Sequence, residues 1–125
     1  ACHTAPHGKD YAGGLPMLTP VGAIYSTNIT PDDETGIGKY TESEFAKALR
    51  RGVAKDGHHL YPAMPYPSYT KVSDEDIPYL YVYFMKGVKP VRQATQASEI
   101  TWPLNYRFPT SKSSGKPTRT MSKKQ

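Results

Sequence analysis

One cysteine in a chain of 125 residues leaves no partner for an internal disulfide, so Cys2 has to be read through its chemistry rather than as a cross-link. Apolar residues make up 37% of the chain, and no run approaches the roughly 20 apolar residues of a membrane-spanning helix. Neither a signal peptide nor an initiator Met is present at the start. The opening Ala1-Cys2-His3 leads us to expect further sequence upstream. No nucleophile elbow, phosphate loop or pair of catalytic carboxylates occurs, and no intrinsic enzyme activity is expected. Acidic residues are lacking after Phe108, and the five cations Lys112, Lys116, Arg119, Lys123 and Lys124 lie there. The net charge of +5 therefore reports a basic tail, not a nucleic-acid-binding face, and no nucleic-acid partner is expected.

The chain does contain twelve prolines, ten glycines and ten tyrosines. Its length suits one domain with a small aliphatic core, and a buried cofactor would fill such a centre and stabilise the folded state. Tyrosines suit that role, since each joins apolar area to a hydroxyl that can reach a polar group. From Cys2 to Gly38 glycine and proline break the sequence into turns without a sustained helical period, which predicts a long structured loop.

A helix is predicted from Thr41, where Thr41-Glu42-Ser43-Glu44 forms a capping box and Phe45, Leu49 and Val53 supply one apolar stripe. Gly52 suits its left-handed end. A second helix is predicted from Ser73, with acids in its first turn and an apolar face of Ile77, Leu80, Tyr81, Phe84 and Met85. Pro78 requires that its opening turn be 3₁₀ or start late. Residues 57–72, rich in proline and tyrosine, are predicted to be a stiff extended loop, and 110–125 a disordered low-complexity tail.

Cys2-His3 has the form of the end of C-x-x-C-H, in which two cysteines hold haem by thioethers and the histidine is the proximal iron ligand. The first cysteine would then lie upstream. Met64 stands between prolines on a non-helical loop, and its soft sulfur suits a haem iron in an electron carrier. Met17, also after a proline but following the Gly13-Gly14 pair expected to be mobile, is the rival sulfur.

Several ordered segments resemble the cytochrome c subunits of membrane-bound alcohol and gluconate dehydrogenases. These are Gly14-Leu15-Pro16-Met17, Ile24 to Asp32 with Thr35 to Gly38, Leu60 to Tyr69, Ser73 to Asp76 and Leu80 to Phe84. The resemblance implies a mainly α, class I cytochrome c-like fold, with short helices and long loops around haem c, and it covers about residues 1–107. The N-terminal helix of that fold would be missing here. Residues 1–109 would form the haem domain and 110–125 its tail. Cys2 would be the second thioether cysteine, His3 the proximal ligand and Met64 the distal one, with Tyr25, Asn28, Tyr61, Pro62 and Tyr66 in the pocket wall. The family is periplasmic and membrane-associated. It takes electrons from a dehydrogenase catalytic subunit and passes them to quinone or a terminal oxidase.

The alternative reading is a zinc or other metal site built from Cys2, His3 and His7 with His58 or His59, although no paired ligand spacing supports it. Asp32, Asp33 and Glu34 lack the alternation of a calcium loop and are read as an acidic turn.

Overall fold

The computed structural model describes residues 2–100 apart from Val21 and Pro62. The predicted tail, the 109/110 boundary and Pro62 therefore lie outside the described residues.

Helix α1, Glu42–Arg51, begins as its sequence predicts. The Thr41 hydroxyl accepts from the Glu44 amide at 3.2 Å, and the Glu44 carboxylate accepts from the Thr41 amide at 3.1 Å. Gly52 ends the helix at φ 63° in the left-handed region that glycine enters without steric cost. A bridge between Val53 and His59, with the Leu60 amide donating to the Gly52 carbonyl at 2.7 Å, turns the chain back along the helix end.

The proline-rich segment contains one element that its composition conceals. Tyr66–Tyr69 forms a single helical turn, α2, with Pro67 in the first turn, where a missing amide hydrogen removes no helical bond. The expectation of an extended loop over 57–72 is corrected there. The second predicted helix, α3, runs Asp76–Val82 and continues as a π turn over Tyr83–Gly87. Its late start resolves the difficulty of Pro78, which becomes the third helical residue. The Ser73 hydroxyl accepts from the Asp76 amide at 3.2 Å.

Rings join these helices to the amino-terminal segment. Phe84 meets Tyr11 edge-on at 5.5 Å and Phe45 at 6.0 Å, and Phe45 meets Tyr81 at 5.7 Å. The Tyr81 hydroxyl donates to the Tyr40 carbonyl at 2.7 Å, fixing α3 to the entry of α1.

The 2–38 stretch was expected to lack regular structure, and this is a further correction. Strands β1, Pro16–Thr19, and β2, Gly22–Tyr25, form an antiparallel hairpin, and β3, Glu99–Ile100, pairs with β2 to give the order β1-β2-β3. With three helices and a three-stranded sheet among the described residues, the fold is not clearly mainly α. Four-residue strands are too short for alternation to stand out, and β3, the second partner of β2, lies more than seventy residues away.

The most buried side chain is polar: Thr30 is 0% exposed, with Asn28 at 3% and Ser26 at 4%. The Asn28 carbonyl oxygen accepts from the Thr30 amide at 2.9 Å and the Thr30 hydroxyl at 2.7 Å. Its amide nitrogen reaches the carbonyls of Val91 at 2.8 Å and Gln93 at 3.1 Å, with the Thr35 hydroxyl at 3.2 Å. These bonds strap residues 88–98 across the loop 28–35. Thr35 in turn donates from its hydroxyl at 2.6 Å and its amide at 2.7 Å to Asp32 Oδ2. Those two bonds hold the Asp32 carboxyl below the usual carboxylate range. Asp32 is thus the acidic turn predicted, closing on its own backbone.

Two outcomes follow from these contacts. Ala at position 52 carries the left-handed strain of roughly 1–2 kcal/mol, and its Cβ would lie 2.8 Å from Tyr66 Cδ1. Gly52→Ala should lower the unfolding free energy by at least that strain, read as a lower urea midpoint; an unchanged midpoint would contradict this packing. The second outcome concerns acid. Because the folded Asp32 pKa is depressed, its stabilising effect is complete above the unfolded value of about 3.9. It is lost as pH falls through the lower folded value. Glu44, held low by Lys55 and Thr41, and Asp56, held low by His58, act with the same sign. Asp32→Asn should therefore flatten, without abolishing, the fall in urea midpoint on acidification, and identical slopes in the two proteins would count against it.

Candidate haem-binding site

His3 is fixed at two points. Its carbonyl accepts from the Gly13 amide at 2.8 Å, and its ring Nδ1 lies 2.8 Å from the Thr27 carbonyl. A carbonyl can only accept, so Nδ1 carries the proton and, in the neutral ring, Nε2 carries the lone pair. An imidazole held by one nitrogen to a backbone carbonyl is the usual state of a metal-ligating histidine, with its orientation set and its basicity raised. Cys2, immediately before it, is an exposed free thiol.

Gly13 makes this arrangement possible. It is buried at φ 77°, and a Cβ there would lie 2.5 Å from the Thr27 carbonyl carbon and 2.6 Å from its oxygen. Only a glycine lets the two backbones approach so closely that His3 reaches Thr27. The expectation that Gly13-Gly14 is mobile is corrected: the Gly14 amide donates to the Ser26 carbonyl at 2.9 Å, and the Leu15 amide to the Ser26 hydroxyl at 3.0 Å. Met17, the rival sulfur, lies on β1 opposite Ile24 rather than on a loop.

The other predicted residues fall into two groups. Tyr25 lies on β2, its amide 3.4 Å from the Ser98 hydroxyl, and Asn28 follows the residue that His3 holds. Asn28 spends its side-chain hydrogen bonds on the protein's own loops. Tyr61, Met64 and Tyr66 form the second group, in consecutive turns where the Met64 amide donates to the Tyr61 carbonyl at 3.2 Å and the Tyr66 amide to the Met64 carbonyl at 2.8 Å. Tyr66 packs its ring on Gly52, so the end of α1 positions this loop. Burial pushes the Tyr61 phenol above its usual value.

The donor set fits a haem iron: an imidazole with its second nitrogen tied, a neighbouring thiol, and a thioether on a pinned loop. Among the described residues no three of the His, Cys, Asp and Glu side chains gather as a metal site, so Cys2, His3 and His7 do not form the zinc cluster of the alternative reading. His58 is instead paired with Asp56. A cavity of about 820 Å³ opens elsewhere, between Tyr11, Tyr83 and the strap at Lys89 and Arg92, and none of the predicted site residues lines it.

Sequence reasoning missed Thr27, Gly13 and the strap residues Gln93 and Thr95. Thr27 acts through its backbone carbonyl, which no side-chain pattern reveals. The run Ser26-Thr27-Asn28-Ile29-Thr30 did carry a signal, since such residues in a non-helical stretch tend to bond to nearby backbone.

No protein-family model matches the chain. Among curated proteins it is 63% identical over 109 residues to the gluconate 2-dehydrogenase cytochrome c subunit of Pantoea cypripedii, covering 87% of this chain and 25% of that protein. It is 59% identical over 109 residues to the cytochrome c subunit of alcohol dehydrogenase (quinone) from Gluconobacter oxydans, covering 87% and 23%. To the fructose dehydrogenase cytochrome subunit of Gluconobacter japonicus it is 48% identical over 108 residues, covering 86% and 22%. The chain spans about a quarter of the length of these relatives. It is, over most of its own length, a homologue of the cytochrome c subunits of gluconate, alcohol and fructose dehydrogenases.

Proposed function

We propose that this chain is a c-type cytochrome domain that carries electrons through haem c attached at Cys2 and ligated by His3 and Met64. The observation that carries the reading is the His3 ring, tied at Nδ1 to Thr27 with Nε2 left to bind, in a chain homologous to cytochrome c subunits. Haem bound there supplies a reversible one-electron iron couple. His3 binds through Nε2, and the Thr27 carbonyl keeps its tautomer and ring plane fixed. Met64 presents a soft sulfur from a loop whose prolines leave little entropy to lose on ligation, and that sulfur favours ferrous iron. In this reading Tyr61 and Tyr66 would line the pocket beside Met64, and Tyr25, Asn28 and Pro62 are the other residues assigned to its wall by resemblance.

The partner that this reading implies is a dehydrogenase catalytic subunit as donor, with membrane quinone or a terminal oxidase as acceptor. The location it implies is the periplasmic side of the membrane, reached through the complex. Among the described residues no helix is long and apolar enough to cross a membrane.

Two measurements test it. Proteolysis of the haem-loaded full-length protein should release a Cys2-bearing peptide whose mass includes haem, and recovery of that peptide unmodified would exclude thioether attachment at Cys2. Met64→Leu keeps approximate volume, so packing should change by less than about 1.5 kcal/mol. The ferric protein should nevertheless lose its far-red sulfur-to-iron charge-transfer band, and the potential should fall. Met17→Leu should leave both unchanged. The reverse pattern would transfer the ligand to Met17.

A further inference from the structure

The peptide group between Thr27 and Asn28 is engaged at both ends. Its carbonyl oxygen accepts the His3 Nδ1 hydrogen at 2.8 Å, and its own N–H, on Asn28, donates to the Thr95 hydroxyl at 3.2 Å. The result is one continuous chain, from imidazole N–H through a single peptide to the hydroxyl of a residue 92 positions along the sequence from the ring. Bonds in such chains polarise one another, by about 10–30% per bond. Drawing the Asn28 hydrogen toward Thr95 makes the Thr27 oxygen more negative and so a better acceptor for His3.

Thr95 is held in register by bonds on either side of it. The Asn28 side chain grips the Val91 and Gln93 carbonyls, and the Gln93 amide donates to the Thr35 hydroxyl at 2.9 Å. The Gln93 side chain donates to the Ala12 carbonyl at 3.1 Å, next to the Gly13 that Thr27 crosses. Beyond Thr95, the Ser98 hydroxyl accepts from the Tyr25 amide. The strap is thus tied to both segments that orient His3, at Ala12 beside Gly13 and at Asn28 beside Thr27.

We propose that Thr95 is a positioning residue for the His3 imidazole, acting through the Thr27–Asn28 peptide, so that the carboxyl-terminal strap sets how electron-rich the ligand is. This rests on His3 being the iron ligand. A stronger Nδ1 hydrogen bond makes the imidazole a better donor and favours ferric iron, so Thr95 lowers the potential of the haem attached at Cys2. Thr95→Val preserves shape and places a methyl where the hydroxyl was.

The test uses the haem-loaded full-length protein as wild type, Thr95→Val and Thr95→Ser. Two quantities are read: solvent exchange of the His3 Nδ1 hydrogen in the ferrous state, by NMR with ¹⁵N-labelled histidine rings, and the midpoint potential of that haem. Thr95→Val should speed the exchange and move the potential to a more positive value, with the Met64 charge-transfer band retained, and Thr95→Ser should restore both. Unchanged exchange and potential in Thr95→Val, even with a lowered melting temperature, would overturn the proposal and leave Thr95 a structural residue. Faster exchange with an unmoved potential would also overturn it. In that case His3→Gln identifies the failure: an unaltered iron spectrum means that His3 is not the ligand, whereas a lost axial ligand means that the coupling itself is absent.

Discussion

The hydrogen bonding of one buried amide, Asn28, governs how this loop-rich chain is held together. Leaving a buried polar group without partners costs about 1–3 kcal/mol, and Asn28 presents both a donor and an acceptor in the least solvated part of the fold. Its partners come from its own loop, through Thr30 and Thr35, and from the distant strap, through Val91 and Gln93. A chain with few aliphatic side chains thereby obtains a specific centre. Bonds of this kind demand one geometry, whereas apolar contacts tolerate several.

The site is suspended from that centre on one side and from α1 on the other. His3 reaches Thr27, the residue beside Asn28, because Gly13 lets two backbones cross at close range. Met64 is carried by the turn that Tyr66 presses against Gly52. The aromatic group of Tyr11, Phe45, Tyr81 and Phe84 ties these two halves through α3. Two glycines, each required where a Cβ would collide, therefore govern the two proposed ligands.

Helix limits were legible because capping is local: Thr41 and Glu44 lie within one turn, and Gly52 marks its own conformation. The candidate ligands were proposed from local sequence too, since Cys2-His3 and Met64 with its neighbouring prolines carry their chemistry in adjacent residues. The hairpin was not, because its strands are four residues long and β3 pairs from the far end of the chain. The α2 turn was hidden by prolines that suit the start of a helix as well as they suit an extended loop.

By itself the sequence singled out Cys2, His3 and Met64 as candidates to hold a haem, marked both ends of α1, and indicated that the apolar core is small. The tertiary structure alone decided which carbonyl holds His3, that Gly13 is locked rather than mobile, and that Asn28 binds the strap. The physical reason is distance along the chain. Propensity and capping act over a few residues, but the Thr27 carbonyl, the Gln93 side-chain amide and the Thr95 hydroxyl meet His3, Ala12 and Asn28 only where folding brings distant segments together. Carbonyls and hydroxyls of this kind recur throughout the chain, and only their placement tells one from another.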